Sequence, residues 1–463
     1  MLFTSSTFMF CFLPLTLFAF WFFKRKPYRL WILFISSYIF YGSWNWKFLS
    51  LLLISTCVDY WAGIVIGKTQ KRPIKITALW FSIICNLGIL GFFKYYNFFI
   101  SDFIALGSLF GKNINIPVMN IILPVGISFY TFQSMSYTID VYRNMVKPTH
   151  SFIKFASYVS AFPQLVAGPI IRYKDIHKQF DTIDRPFDKN MFLFGFQLFL
   201  LGLFKKVLIA DCVAGMINPL FQQYQLLGTF EAWMAILGYT FQIYFDFSGY
   251  SDMAIGLGKM LGLRIPINFN SPYKAVNISD FWRRWHISLS TWLRDYVYIP
   301  LGGSYGSTGN TLINILIVLT IGGLWHGAAW TFVLWGIYHA LLIIGYHVMK
   351  KNWDTLPSIL QRAGTLFFVI IGWVLFRSRD MAMAQSFFIS LFTFSKNHVA
   401  ASSQLIQLSV LNLLLIISVN VFPNSNAYTA NTHLRTALIC AILFLLCLFS
   451  INAQQIEFLY YQF

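Results

Sequence analysis

Residues 311–337 read TLINILIVLTIGGLWHGAAWTFVLWGI, an apolar run without Asp, Glu, Lys or Arg. Its length exceeds the roughly 20 residues that a helix needs to cross a bilayer. In lipid the backbone must pair its own polar groups, so such a run folds as helix against other helices. It carries one ionisable side chain, His326, inside Gly-Gly-Leu-Trp-His-Gly-Ala-Ala-Trp. A titratable group at membrane depth is costly and points by default to a functional site. Gly323 and Gly327 form a Gly-x-x-x-Gly pair that lets another backbone come close, and Trp325 and Trp330 are expected to wall the imidazole. Two readings stand. The ring bonds a neighbouring helix and fixes packing, or, neutral in a low-dielectric site, it takes a proton from an attacking hydroxyl.

The rest of the chain fits a protein dissolved in lipid. Hydrophobic residues make up 57% and charged residues 11% of 463 positions, and mean hydropathy is +0.62. A soluble domain of this size needs far more polar surface. A formal charge of +18 would suit a nucleic-acid binder, but the basic residues sit in short loops between apolar runs. There they set topology and attract anionic lipid, so nucleic acid is not an expected partner. An acidic soluble donor or carrier on the cytosolic side is. Cys11, Cys57, Cys85, Cys212, Cys440 and Cys447 lie in or beside apolar segments without C-x-x-C spacing and read as small core hydrophobes. No linker is long enough to separate a soluble domain.

Taken in order, residues 2–23 are apolar with Lys24, Arg25, Lys26 and Arg29 behind them. A cleavable signal has its charges first, so a retained helix with its N-terminus outside is expected. Residues 30–41 return outward, a turn follows at Trp44-Asn45-Trp46, and 48–67 come back. The 68–75 loop is basic and without acid, so two successive basic loops mark the cytoplasmic side. Residues 76–99 cross out, 101–117 fit the outer face, and 118–139 cross back. That last segment holds Pro124, Gly126, Ser128, Gln133 and Ser136, which at membrane depth must face a cavity or another helix. Residues 152–171 have basic loops at both ends, with Pro163, Gly168 and Pro169 inside; they read as a re-entrant hairpin. Residues 190–216 cross outward with Lys205 and Lys206 snorkelling or facing an internal cavity. Residues 230–247 return into Asp246-Phe-Ser-Gly-Tyr-Ser-Asp252, and the polar 263–309 region belongs at the cytoplasmic face. Beyond residue 337 come 338–348, a basic loop with Lys350, Lys351 and Arg362, and spans near 363–376, 405–422 and 435–453. The total is roughly 11 membrane-embedded segments, with Arg377 and Arg379 fitting no simple alternation.

Residues 279–292, SDFWRRWHISLSTW, have the pattern of an amphipathic helix. Ser279 serves as N-cap with Asp280 in the first turn, and Phe281, Trp285, Ser288, Leu289 and Trp292 share one face. Arg283 and Arg294 share another, to hold lipid phosphates, structural acids or an anionic substrate. Such a helix lies in the interface with its tryptophans at headgroup level, and His286 is expected beside Trp282, one turn earlier. An interfacial histidine alone is ordinarily a hydrogen-bonded structural residue. His339 and His347 look like snorkelling or packing residues, and His150, His177, His398 and His433 fall in loops.

No H-E-x-x-H or C-x-x-C spacing is present, which speaks against a zinc site. The lack of a Walker A loop and of a G-x-S-x-G elbow disfavours an ATP-driven pump and a serine hydrolase. Read together, six stretches resemble the membrane-bound O-acyltransferase family: Pro124-Val-Gly-Ile-Ser-Phe-Tyr-Thr-Phe-Gln133, Leu165-Val-Ala-Gly-Pro-Ile170, Phe245-Asp-Phe-Ser-Gly-Tyr-Ser-Asp252, Asn268-Phe-Asn-Ser-Pro-Tyr273, Asp280-Phe-Trp-Arg-Arg-Trp-His-Ile-Ser-Leu289 and Gly323-Leu-Trp-His-Gly-Ala-Ala-Trp330. The resemblance is greatest to its bacterial polysaccharide branch, typified by the membrane subunit of alginate O-acetyltransferase.

The resemblance implies an all-α polytopic membrane protein with re-entrant segments around a transmembrane catalytic tunnel. It implies a single domain, with a core at about 118–350 and peripheral helices at 1–100 and 363–455. His326 becomes the family's catalytic histidine, as a base for the attacking hydroxyl or a transient acceptor of the acyl group, and His286 the second, cytoplasm-side one. Trp325, Trp330, Gln133, Asp246 and Asp252 are expected along the donor tunnel, as are Trp282, Arg283, Arg284, Trp285 and Asn270. No bound cofactor is implied; the donor is a cytosolic thioester such as acetyl-CoA. The remaining partners are membrane lipid, a polysaccharide acceptor such as alginate or peptidoglycan, and periplasmic acetyltransferase-type proteins, with the chain multi-pass in the bacterial inner membrane. Two rivals remain: D-alanyl transfer from a carrier protein, and a transporter or flippase without acyl chemistry.

Overall fold

The computed structural model describes residues 1–395, 399–427, 434–453 and 459, and every regular element among them is helical. His398 and His433 lie outside the described residues. Seven helical runs among the described residues are long and apolar enough to cross a membrane. Three other apolar helices, Thr7–Phe22, Met381–Phe392 and Leu438–Ile451, are shorter. The seven are continuous helical runs, and one run can hold two of the roughly eleven segments expected. The run Lys26–Lys68 shows the difference. Its 43 residues are too many for one crossing at about 1.5 Å per residue. It breaks at Asn45, whose φ of −159° and ψ of 108° are extended and whose side chain accepts from the Lys47 N–H. Two helices of 20 residues result, Lys26–Asn45 and Leu49–Lys68.

The chain forms two compact units. The first comprises Met1–Phe196 and Ala254–Pro266. Leu49–Lys68, Arg72–Leu90 and Ile127–Tyr142 pack together in it, held by a polar knot that the apolar pattern conceals. The fully buried Asp59 carboxylate accepts from the Ser82 hydroxyl, from Asn86 Nδ2 at 2.9 Å and from Thr138 Oγ1 at 3.1 Å. A buried carboxylate survives only when its lone pairs are satisfied, so these three helices cannot slide past one another without cost.

Two expected crossings change in this unit. The run Arg72–Leu109 stays helical past residue 99, so the helix continues into the stretch expected at the outer face. Residues 118–126 are not helical, and Ile127–Tyr142 starts only after Gly126 at φ +75°. A Cβ on Gly126 would lie 2.5 Å from the Leu165 carbonyl oxygen; chirality and close approach both demand glycine here. The breakers therefore precede the helix instead of interrupting it. Phe152–Ser160 has nine residues, too few to span, and buried turns follow it up to Ile171. Gln133 Nε2 and Gln164 Nε2 both donate to the Tyr158 carbonyl, and Tyr158 Oη donates to the carbonyls of Gln133 and Ile171. Protein thus supplies the partners that a re-entrant backbone needs.

The second unit comprises Gln197–Met253 and Ile267–Phe463. Thr229–Met260 is one helix of 32 residues, so Asp246 and Asp252 sit on a continuous helix and not in a loop after it. In this unit Gly202 and Gly249 meet backbone to backbone, a Cβ on Gly202 falling at 2.4 Å from the Gly249 oxygen. Beside that contact Lys206 Nζ lies 2.7 Å from both Asp211 and Asp246, and Lys205 Nζ lies 2.6 Å from Asp252. The lysines neither snorkel nor face an open cavity; they are spent on carboxylates. Arg377 is accounted for as well. Its guanidinium lies over the Phe221 ring at 4.5 Å, which shelters a charge that topology alone does not explain. The cysteines mostly miss the core: Cys11, Cys57 and Cys212 are exposed, Cys85 and Cys440 partly so, and only Cys447 is buried. Small hydrophobes are equally at home on lipid-facing surfaces.

The largest correction concerns the 311–337 run, which is two helices. Thr308–His326 ends at the histidine, residues 327–329 are extended or bent, and Trp330–Asp354 begins a second helix. Three connecting residues force neighbouring helices antiparallel, and glycines set their separation. A Cβ on Gly323 would stand 2.2 Å from the Phe332 oxygen, and one on Gly336 2.3 Å from the Leu319 oxygen. Gly336→Leu is therefore expected to lower the thermal midpoint of the detergent-solubilised protein, since overpacking costs about 1–3 kcal/mol. Gly345→Ala on the same helix, where a Cβ meets nothing within 4 Å, should leave it unchanged. Equal midpoints for both variants in a melting assay would contradict the close approach.

Candidate active site

His326 is the last residue of its 19-residue helix and not the middle of one unbroken helix. Its side chain turns into protein and is 3% exposed. Around it stand Trp325, Trp335 and Phe376, with ring centroids at 5.0, 5.2 and 5.2 Å. The Trp335 plane is perpendicular to the imidazole at 90°, the edge-to-face arrangement that aromatic quadrupoles favour. Trp330 does not share this enclosure; it opens the next helix with 52% of its surface exposed. Trp335 and Phe376 were hidden because the walls come from later helices whose register the apolar pattern does not reveal.

His286 stands 6.0 Å from His326, ring centroid to centroid. It reaches that position through a break in the expected amphipathic helix. Ile278–Arg284 and Ile287–Leu293 are separate helices of seven residues each. His286 between them has φ +45° and ψ 52°, a left-handed conformation that costs a non-glycine residue about 1–3 kcal/mol. The N-cap of the first helix is Asn277, whose side chain accepts from the Asp280 N–H at 2.8 Å, in place of Ser279. The break turns His286 fully inward against Phe247 at 4.7 Å and Trp325 at 5.7 Å. Burial pushes its imidazole down to about 3, so the ring is neutral at physiological pH. Trp285 and Trp292 are buried at 1% and 4% exposure, so these tryptophans build an aromatic core and do not present their rings to lipid.

Asn268 holds the strained turn. Its Oδ1 accepts from the Ser288 N–H at 3.1 Å and from Ser288 Oγ at 2.9 Å, and its carbonyl accepts from the Ile287 N–H at 2.9 Å. The Asn270 N–H donates to the Arg284 carbonyl at 2.9 Å, so residues 268–270 clamp the chain on both sides of His286. Sequence reasoning chose Asn270, which is exposed, over the buried Asn268 two positions earlier. Alternation could not have separated them, because residues two apart in an extended segment share a face; only the bonds to Ile287 and Ser288 single out Asn268.

The other expected site residues divide by location. Trp282 packs on Trp335 and His339 at 5.6 and 5.2 Å, and Trp285 stacks on Phe281. Arg284 pairs with Asp280 at 2.9 Å, while the Arg283 side chain is 71% exposed. Asp246 and Asp252 hold the buried lysines, and Gln133 belongs to the first unit, bonded to Tyr158. His347 is exposed, whereas His339 is fully buried beside Trp335 at 4.8 Å; it packs and does not snorkel. A Cβ on Gly372 would lie 2.9 Å from its Nε2, so that glycine makes room for the ring.

The buried His326 imidazole, walled by aromatics at the C-terminus of its helix and 6.0 Å from the neutral His286 ring, can take up and return a proton away from water. The negative end of the helix stabilises positive charge developing there by roughly 0.3–1 kcal/mol. A family model for MBOAT, the membrane-bound O-acyltransferase family, matches residues 35–385. The chain is 43% identical to the probable alginate O-acetylase AlgI of Pseudomonas aeruginosa, over 85% of this chain and 75% of that protein. It is 35% identical to the peptidoglycan O-acetyltransferase of Helicobacter pylori, over 100% of this chain and 98% of that one. Similarity to the teichoic acid D-alanyltransferase of Bacillus subtilis is lower, 30% over 57% of this chain and 71% of that one. The chain is a multi-pass membrane protein with acyltransferase chemistry, and it belongs to the membrane-bound O-acyltransferase family.

Proposed function

We propose that this protein moves an acetyl group from a cytosolic thioester, acetyl-CoA or a related acyl carrier, across the inner membrane for O-acetylation of an envelope polysaccharide. Periplasmic partner proteins complete delivery to the polymer. The observation that carries this reading is the buried pair His326 and His286, 6.0 Å apart in an aromatic enclosure. Support for acetyl over D-alanyl comes from the relatives, since the O-acetyl-transferring proteins match more of the chain at higher identity. Alginate and peptidoglycan are the two acceptor classes that those relatives' names offer.

In this reading an acceptor hydroxyl attacks the thioester carbonyl carbon. A carbon–oxygen bond forms as the hydroxyl proton passes to the His326 imidazole. The tetrahedral intermediate then breaks its carbon–sulfur bond, and the imidazolium returns the proton to the leaving thiolate, so ester and thiol are the products. Exclusion of water by Trp325, Trp335 and Phe376 protects the thioester from hydrolysis. His286, neutral and held by the Asn268 clamp, orients the pair.

His326→Ala is expected to abolish polymer acetylation in cells while the protein stays in the membrane, and His286→Ala to give a smaller loss. Acetyl analysis of the isolated polymer, with an immunoblot of the membrane fraction, measures both; full acetylation in His326→Ala would overturn the reading. Asn268→Ala removes two hydrogen bonds to Ser288 and Ser288→Ala one. Each such bond is worth about 0.5–1.5 kcal/mol, so turnover should fall about tenfold in the first and less in the second. An unchanged rate in Asn268→Ala would show that the clamp does not position His286 for reaction.

A further inference from the structure

A cavity of about 640 Å³ opens in the first unit, lined by Lys147, Lys154, Lys174, Lys178 and His177. Asp181 is the one carboxylate in its lining, and it is already divided between Lys154 at 2.7 Å and Lys26 at 3.3 Å. Lys174 reaches the buried Asp140 behind it at 3.8 Å. Among the described residues Lys147 and Lys178 have no carboxylate within 4.0 Å. Five ammonium groups thus share two carboxylates around one concavity, an excess of three positive charges.

Topology alone accounts for basic residues exposed on loops, not for their convergence on a hollow. Lys154 is 9% exposed, its Nζ 6.0 Å from the Tyr173 ring centroid, and Thr149 and Tyr173 complete the wall. Like charges in a cleft with low-dielectric walls focus a field that an anion relieves. The location narrows the anion. Lys26 begins the helix Lys26–Asn45, and Pro148 packs against Gly67 at the far end of Leu49–Lys68, where a Cβ would meet its Cγ at 2.2 Å. The cavity therefore sits at the basic ends of two helices from a run long and apolar enough to cross a membrane, where basic residues ordinarily meet lipid phosphates.

We propose that this cavity binds a phosphate group, with the lysine ammoniums donating to its oxygens. Two sources present that chemistry: an anionic phospholipid headgroup of the cytosolic leaflet, and the phosphates of a soluble nucleotide thioester. The second source rests on the acetyl-CoA reading above; the first does not.

The full chain in nanodiscs is titrated with coenzyme A in one arm. In the other it is exchanged against vesicles of phosphatidylcholine with or without phosphatidylglycerol, and retained lipid is counted by native mass spectrometry. Lys147→Gln/Lys174→Gln/Lys178→Gln is expected to weaken one probe about tenfold or more, as loss of several charged hydrogen bonds requires. Lys350→Gln/Lys351→Gln/Arg362→Gln, three exposed basic residues elsewhere, should change it less than about twofold. Loss confined to coenzyme A identifies the soluble source, and loss confined to phosphatidylglycerol the headgroup. Equal effects of the two triple variants, or no effect on either probe, would overturn the site. Should the pocket triple not fold, the exposed Lys147→Glu alone is expected to weaken the same probe, and its failure to do so overturns the site equally. Acetyl-CoA turnover recorded on the same wild-type sample separates the two claims, because lost turnover with intact binding counts only against the donor assignment.

Discussion

Lipid offers a backbone no hydrogen-bond partner, so the chain can stop its helix at His326 only where protein closes the gap. Gly323 and Gly336 provide that closure by letting the backbones of the His326 helix and the helix after it meet. Because the helices approach so closely, Trp335 comes level with His326 and the next helix adds Phe376. The enclosure is thus a consequence of the hairpin. A larger residue at either glycine would part the helices and open the cage to water. His286 follows the same logic from another direction, its left-handed backbone tolerable because Asn268 takes up the polar groups on its C-terminal side.

Buried charge serves this chain as structure before it serves chemistry. Asp59 joins three helices in the first unit, and Lys205 and Lys206 join carboxylates in the second. Removing one partner of such a pair leaves an uncompensated charge and costs about 3–5 kcal/mol. The buried ionisable groups therefore differ in what surrounds them. Carboxylates and lysines are neutralised by one another or by hydroxyls and amides, while His326 and His286 stand among aromatic rings.

How much of this was legible depended on the kind of signal. The helical class, the membrane environment and His326 follow from apolar runs and one ionisable residue, and the resemblance added His286. Helix ends were less legible. Residues 311–337 contain no charge to mark the break, and the 279–292 pattern stays amphipathic across a kink that only tertiary bonds to Asn268 explain. Tertiary packing also decided the fate of individual side chains. Trp330 and Trp335 are equally aromatic in sequence, yet one faces outward and the other walls the histidine. Asp246 and Asp252 stood out as a motif, and their partners Lys205 and Lys206, some forty residues earlier, could be assigned only once the Gly202–Gly249 contact fixed the helix register.

The central claim is that the enclosed His326 imidazole carries acyl transfer from a thioester. The most direct measurement is single-turnover reaction of labelled acetyl-CoA with the purified protein in proteoliposomes, with an oligosaccharide acceptor supplied. His326→Gln, which preserves side-chain polarity but cannot take up a proton, is run beside the wild type. The account predicts labelled ester and free thiol in equal amounts from the wild type and neither above background from the variant. Equal ester formation by both proteins would contradict it.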